Sequence, residues 1–359
     1  MNRVKGYLLV VVTCVAAAEL FVLIRYFGLE SVPQFSGADL EAINGGYMLL
    51  RGIFLGVILG TLFYLLERAL DRPSIRRRPY GLLILLLTVG NVSLVMLSIM
   101  VVATIEVVRG ESQGWIESIT IRLFSTNGLV VLLYISIVSF VLSFFKTMDR
   151  KFGPGNLWKL IIGAYYHPKE EERIFMFLDM KSSTGHAERL GHARFSKLIQ
   201  DCFVDLSVVI DHNALVYQYV GDEVILYWDV ARGLKDGNCM RAYFRFVDRL
   251  HDRAAYYEKK YGSQPEFKAG LNIGSATVLE VGEIKREISY LGDVLNTAAR
   301  IQGKCNDYGE QILVSGTLKN RFASIPDDLE LKEIGAVELR GRQEDVAIFS
   351  VRRKGDPDE

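Results

Sequence analysis

Residues 173–191 read RIFMFLDMKSSTGHAERLG. The run from Arg173 to Asp179 is short, apolar and closed by a carboxylate, the pattern of a buried strand. MKSSTGHAERLG then supplies small and hydroxyl residues before helical periodicity begins, the pattern of a helix N-terminus. A strand, a turn and a helix start would aim the backbone N–H groups around Ser182, Ser183 and Thr184 at an anion. Taken alone, such a Ser/Thr segment is more often only a cap.

Outward from there, ALVYQYVGDEVILYWD (214–229) is two β-rich runs about Gly221, Asp222 and Glu223, a hairpin with carboxylates at its tip. Turns also favour Gly and Asp for backbone reasons alone. FKAGLNIGSATVLEVGEIKREISYLGDVLNTAARIQ (267–302) predicts strands separated by Gly, then Gly292 and a helix that sets Asn296 and Arg300 one turn apart on one face. VELRGRQEDVAIFSV (337–351) predicts a terminal hairpin with Arg340 and Arg342 on either side of Gly341.

Toward the N-terminus the chain changes character. It has 359 residues, 50% hydrophobic and 23% charged, which excludes disorder, collagen and a small disulfide scaffold. Only 23 of its 84 ionic residues lie in the first 150, so an oily half precedes a charged half. With 42 cations against 42 anions and no basic face, the electrostatic footprint of a nucleic-acid binder is missing. Cys14, Cys202, Cys239 and Cys305 lie far apart without metal-ligand spacing and predict reduced, structural thiols.

Residues 7–27 (YLLVVVTCVAAAELFVLIRYF) are long enough to cross a hydrocarbon core of about 30 Å, and a signal peptide would be shorter. Runs at about 47–66, 80–105 and 128–145 bring the expected crossings to four. Short cytoplasmic loops keep Lys and Arg. Arg3 and Lys5 precede the first run, Arg68, Arg72, Arg76, Arg77 and Arg78 follow the second, and Lys146, Arg150 and Lys151 follow the fourth. Residues 28–45 carry Glu30, Asp39 and Glu41 but no cation. The expectation is a multi-pass protein of the cell membrane, in contact with lipid, with both termini cytoplasmic and outer loops at about 28–45 and 106–127. Glu19 and Arg51 reach similar depths and are expected to pair; the alternative is that Arg51 and Arg25 snorkel to the interface. Nothing in the pattern supports a voltage sensor or a transporter.

Between the halves lies KTMDRKFGPGNLWKLIIGAYYHPKEEER (146–173). Gly153, Pro154 and Gly155 should stop the fourth helix. An amphipathic segment, Leu157 to Tyr166, then leads to Pro168 and an acidic, solvated run. The segment is either a spacer or a coupling element.

In order and spacing, across about residues 173–352, these motifs resemble the class III nucleotidyl (adenylyl/guanylyl) cyclases. FLDMKSSTGHAERLG is similar to the family's first metal-aspartate segment, YQYVGDEVIL to its second, and YLGDVLNTAAR to its Asn/Arg helix; LWKLIIGAYYHP is similar to the transducer element preceding many of these domains. Together with the apolar runs, the resemblance divides the chain into a four-helix transmembrane bundle (1–146), a linker or transducer (147–172), a cytoplasmic cyclase domain (173–352), for which it implies an α+β ferredoxin-like fold, and a polar tail (353–359). It implies cyclisation of a nucleoside triphosphate with release of pyrophosphate, using two Mg²⁺ or Mn²⁺ ions per site. Asp179, Asp222 and the Met180 backbone carbonyl would hold them as hard oxygen ligands. Arg300 would stabilise charge on the α-phosphate, Asn296 would orient the ribose, and Arg340 stands where the family usually has Lys against the terminal phosphates. Ser182, Ser183 and Thr184 would lie along the phosphates. Because the family takes its carboxylates from one subunit and its Asn and Arg from the other, the implied active form is a homodimer.

Gln218 stands where adenylyl cyclases of the family commonly have Lys and guanylyl cyclases Glu, and Ser289 where Asp is frequent. A Ser there resembles the bicarbonate-associated subgroup, a pattern Gln218 does not complete. A Gln amide both donates and accepts, matching an adenine edge, while Ser289 would accept from the exocyclic amine. Flipped, the amide would match guanine, so ATP is the favoured substrate and GTP the alternative. A third possibility is an inert membrane receptor with a nucleotide-binding cyclase-like half; the presence of Asp179, Asp222, Asn296 and Arg300 argues against it. A diguanylate cyclase is disfavoured by Val220 before the hairpin Gly and by the Asn/Arg helix.

Overall fold

The computed structural model describes residues 3–30, 45–70, 75, 78–110, 114–153, 155–337 and 345–355. Backbone contacts divide the chain into two units, Met1–Phe152 and Gly153–Glu359.

The first unit is helical: α1 (Arg3–Glu30), α2 (Gly45–Leu70), α3 (Tyr80–Val108), α4 (Trp115–Phe124) and α5 (Thr126–Phe152). Four stretches, Gly6–Ile24, Gly52–Leu70, Tyr80–Ile105 and Gly128–Phe152, are long and apolar enough to span a membrane. Helix α4 falls inside the segment expected to be an outer loop. Trp115, Ile119 and Leu123 recur at helical spacing, but ten residues rise only about 15 Å, too little to cross.

Small residues set the α1–α2 crossing. Gly52, Gly56 and Gly60 lie against Glu19, Val15 and Val11, and a Cβ at any of the three would overlap them, the close approach that small residues permit between apolar helices. From α5, the Tyr134 hydroxyl donates to the Ala17 carbonyl at 2.7 Å, and Lys146 and Arg150 both reach Glu67. Neither Glu19 carboxylate oxygen has a hydrogen-bond partner among the described residues. The side chains of Arg51 and Arg25 lie outside the described residues, and with them both the expected Glu19–Arg51 pair and its alternative.

The second unit begins with α6 (Asn156–Ile161) and continues through β1 (Lys169–Met180), α7 (Ser183–Asp205), β2 (Leu215–Val220), β3 (Glu223–Asp229), α8 (Val230–Leu234), α9 (Asn238–Asp252), α10 (Ala254–Tyr261), β4 (Phe267–Val281), β5 (Glu287–Leu291), α11 (Asp293–Gly303), β6 (Ile312–Ser315), α12 (Gly316–Lys319), β7 (Leu329–Val337) and β8 (Val346–Arg353). The strands form one mixed sheet, ordered β2-β3-β1-β4-β6-β8-β7, with β5 added on β4. Among the described strands, only the β4–β6 pair is parallel.

Strand β1 is buried on both faces because its run is apolar at every position. Ile174, Met176 and Leu178 enter a core with α7, α9 and α10, while Phe175 and Phe177 enter a second one with Tyr290, Val294 and Ala298. The strand starts at Lys169, earlier than the apolar run suggests. Lys169 to Glu172 pair with Val278 to Ser275 of β4, so the acidic run is ladder as well as largely solvated surface. Backbone hydrogen bonding is indifferent to side-chain polarity, which the apolar pattern cannot register. All four cysteines are buried and free.

Candidate active site

Asp179, next to last in β1, faces Glu223 of β3 on one side and Lys268 of β4 on the other. Between β2 and β3, Val220 pairs with Glu223, leaving the two-residue turn Gly221-Asp222. Gly221 takes φ of 62°, which a first turn residue of this kind needs and a glycine supplies without strain. The turn therefore presents Asp222 one residue before the Glu223 that opposes Asp179.

Asp222 lies close enough for its charge to act on Asp179. Burial and the Asp222 charge raise the Asp179 carboxyl above the usual carboxylate range, with Lys268 acting against them. Lys268 Nζ lies 3.6 Å from Asp179 Oδ2, and Gln302 Nε2 of α11 donates to the same oxygen at 3.2 Å. Burial, then the charges of Asp179 and Asp222, push Glu223 up to about 7. Like charges so placed create a local demand for cations.

That demand bears on the implied metals. The donor set is all oxygen: two facing carboxylates and the backbone carbonyl of Met180 at the strand end. Among the described residues no three His, Cys, Asp or Glu side chains form a cage. Mg²⁺ is typically held by one or two carboxylates, with water and substrate phosphates completing the shell. The residues present fit the ions.

Helix α11 carries Asn296, exposed, and Arg300, half-buried. Among the described residues Arg300 Nη1 is buried without a hydrogen-bond partner, an arrangement costly unless something else meets it. No hydrogen bond or ion pair joins either residue to the carboxylates among the described residues. The helix lies directly on β4: a Cβ at Gly270 would overlap the backbone of Ala298 and Gln302.

At the start of α7, Ser182 is left-handed at φ 52° and its side chain makes no cap bond. Helix α7 also breaks at Gly191, so the turn carrying Ser183 and Thr184 belongs to a short first segment.

Gln218 is exposed on β2, and among the described residues no hydrogen bond joins it to Ser289. Its neighbour Tyr217 makes one: the hydroxyl lies 3.4 Å from Ser289 Oγ and accepts from the Tyr290 N–H at 3.3 Å. Arg340 lies outside the described residues, between β7 and β8, whose nearest pair is Val337 with Val346.

Lys268, Gln302 and Tyr217 escaped the sequence reading. Each meets its partner only through strand register or helix packing, so no local motif marks it.

The profile described as the adenylate and guanylate cyclase catalytic domain matches residues 165–352, more than half the chain. Adenylate cyclase 2 of Rhizobium meliloti (strain 1021) is 31% identical over 224 residues, 62% of this chain and 61% of that protein. Adenylate cyclase 1 of the same organism is 27% identical over 187 residues, 50% of this chain and 27% of that protein. A solved structure of a bacterial light-regulated adenylyl cyclase superposes with a TM-score of 0.53 at 16% identity, covering 64% of this chain and 67% of that one; at that identity it shows the fold. Asp179, the Asp222 turn and the Asn296–Arg300 helix thus lie in a domain with a known lineage, and the chain belongs to the class III adenylyl and guanylyl cyclase family.

Proposed function

We propose that this chain is a membrane-anchored adenylyl cyclase that converts ATP to 3′,5′-cyclic AMP and pyrophosphate at the interface of a homodimer. The observation that carries the proposal is the Asp222 turn set against Asp179, three carboxyl groups crowded where β1 meets the β2–β3 hairpin. Support for adenine comes from the relatives in Rhizobium meliloti, both named adenylate cyclases.

The ribose 3′-oxygen forms a bond to the α-phosphorus as the bond to pyrophosphate breaks. The chemistry that Mg²⁺ or Mn²⁺ would supply here is Lewis acidity toward the 3′-hydroxyl and the departing pyrophosphate. Asp179, Asp222 and the Met180 carbonyl would hold the ions, and Lys268 and Gln302 fix the Asp179 carboxylate. Arg300, with an unpartnered buried nitrogen, meets the α-phosphate of the site completed by the other subunit, and Asn296 orients the ribose there. The turn at Ser182, Ser183 and Thr184 lies along the phosphates, and Arg340 meets the terminal ones. Gln218 and Ser289 read the base.

In this reading residues 1–146 are the inserted four-helix domain with both termini cytoplasmic. Residues 147–172 transmit its state, and 173–352 form the ferredoxin-like catalytic domain ahead of the 353–359 tail. The test is cyclic nucleotide formation by the purified protein with Mg²⁺ or Mn²⁺, with ATP and GTP in parallel and Asp222→Ala as the blank. Cyclic AMP absent from the blank is expected. Cyclic GMP alone would reassign Gln218 and Ser289 to guanine, and no product from either nucleotide would overturn the enzyme reading.

A further inference from the structure

Strand β2 does not keep simple alternation. Leu215 pairs with Tyr227 and Val216 with Leu226, but the next pair is Gln218 with Ile225, leaving Tyr217 as the extra residue of a β-bulge. Cross-strand partners share a face. Gln218 therefore shares the face of Ile225, which belongs with Tyr227 and Tyr290 to one core, and Tyr217 packs on that same core. Without the bulge, neighbours 217 and 218 would point to opposite faces. The bulge thus brings the candidate base reader Gln218 onto the face where Tyr217, in ordinary alternation with Leu215, meets Ser289.

The Tyr217 oxygen accepts from the Tyr290 N–H at 3.3 Å, and the Tyr217 and Ser289 hydroxyls share a hydrogen bond at 3.4 Å in which either can donate. The ring is held edge-on to Tyr290, centroids 5.1 Å apart. Whichever hydroxyl donates, Ser289 Oγ keeps at least one lone pair for a ligand. A hydroxyl tied in this way has lost much of the rotation that would let it serve either purine edge.

We propose that Tyr217 is a positioning residue for base discrimination, holding Ser289 in the orientation that favours one purine over the other. This rests on Ser289 reading the base, which the experiment tests separately. Full-length protein is titrated with 3′-deoxy-ATP and 3′-deoxy-GTP, which lack the attacking oxygen, so that affinity is read without turnover. Wild type, Y217F, S289A and the double variant are compared, with melting temperatures and steady-state KM and kcat alongside.

In Y217F the ATP-over-GTP affinity ratio should fall about three- to tenfold, the size of one neutral hydrogen bond. KM for ATP should rise with kcat nearly unchanged, and S289A and the double variant should show the same loss as each other. Equal weakening of both nucleotides by Y217F, or a lowered melting temperature with an unchanged ratio, would make Tyr217 merely structural and overturn the inference. A ratio altered in S289A but not in Y217F would overturn it while leaving Ser289 as a base reader. A ratio unchanged in S289A would remove the base-reading role itself, and the inference with it.

Discussion

Asp179 stands directly opposite Glu223 across the β1–β3 ladder, with Asp222 one residue away at the turn. Both Asp179 and Glu223 are held above their ordinary range by burial and by this crowding. Added Mg²⁺ or Mn²⁺ should therefore raise the melting temperature of the wild type, by about 3 kcal/mol of stability at a hundredfold excess over Kd. In Asp222→Ala the ion should have little effect, and the metal-free variant should be at least as stable as metal-free wild type. Its cyclase activity should fall by about 10²-fold or more. Calorimetry with and without the ion checks the first two points and product formation the third.

The unpartnered Arg300 Nη1 leads to a second expectation. If α11 of one chain completes the carboxylate site of another, Asp222→Ala and Arg300→Ala should each be inactive alone. Mixed before assembly, they should recover about a quarter of wild-type activity, since half of the dimers carry one intact site of two. Co-expression with two different tags measures it, and no recovery would place both residue sets in one chain's site.

Gly270 lets α11 rest on the sheet, and Gln302 on that helix holds Asp179. Gly270→Ala should cost about 1–3 kcal/mol, as overpacked sites do. It should also lower activity more than Asn272→Ala, which removes only the bond to the Val294 carbonyl at 3.2 Å. Denaturant melts and initial rates of the two variants make the comparison.

Asp201 is 1% exposed and accepts from Tyr256 and Tyr261 at 2.6 Å and from Lys260 at 2.8 Å, tying α10 to α7. Burial alone would raise its carboxyl; these hydrogen bonds overcome that and bring it down to about 2. Because the folded value lies below the ordinary one of 3.8, the stabilisation is whole above about pH 4 and lost as pH falls through about 2. Asp201→Asn should cost about 2 kcal/mol at pH 7, with the gap to wild type closing in acid. Melts from pH 7 to pH 2.5 follow it.

At the junction, Gly153 and Gly155 both have positive φ, and Tyr165 is anchored in the second unit. Its hydroxyl lies 3.3 Å from both Lys159 and Glu171, its carbonyl accepts from the Glu280 N–H at 2.9 Å, and its ring joins the core of Phe175 and Tyr290. Replacing Gly153–Gly155 with alanines should change cyclase activity in membranes by about fivefold, a typical coupling energy. Tyr165→Ala should abolish that sensitivity. An unchanged rate in the alanine variant would reduce the junction to a spacer.

Much was legible from local pattern. A strand as uniformly apolar as residues 174–178, a Gly-Asp turn between β-rich runs and four apolar stretches report their structure because each pattern concerns neighbours in the chain. Helix α4 was missed because a ten-residue amphipathic stretch resembles a polar loop once apolar runs of twice its length flank it. The early start of β1 was missed because its first four residues are held by backbone pairing, on which charged side chains are silent.

By itself the sequence determined the two-part organisation, the order of the strands and helices around the candidate site, and the residue types available for metal and phosphate. Those follow from hydrophobic period, turn chemistry and composition, which are local. Only the tertiary structure decided that Asp179 faces Glu223 and Lys268, that Gln302 reaches Asp179 from a helix 123 positions on, that Tyr217 meets Ser289, and that a bulge brings Gln218 onto the same face. Strand register and the seating of a helix on a glycine are settled by packing between distant segments, and a one-residue slip would reverse every face they present.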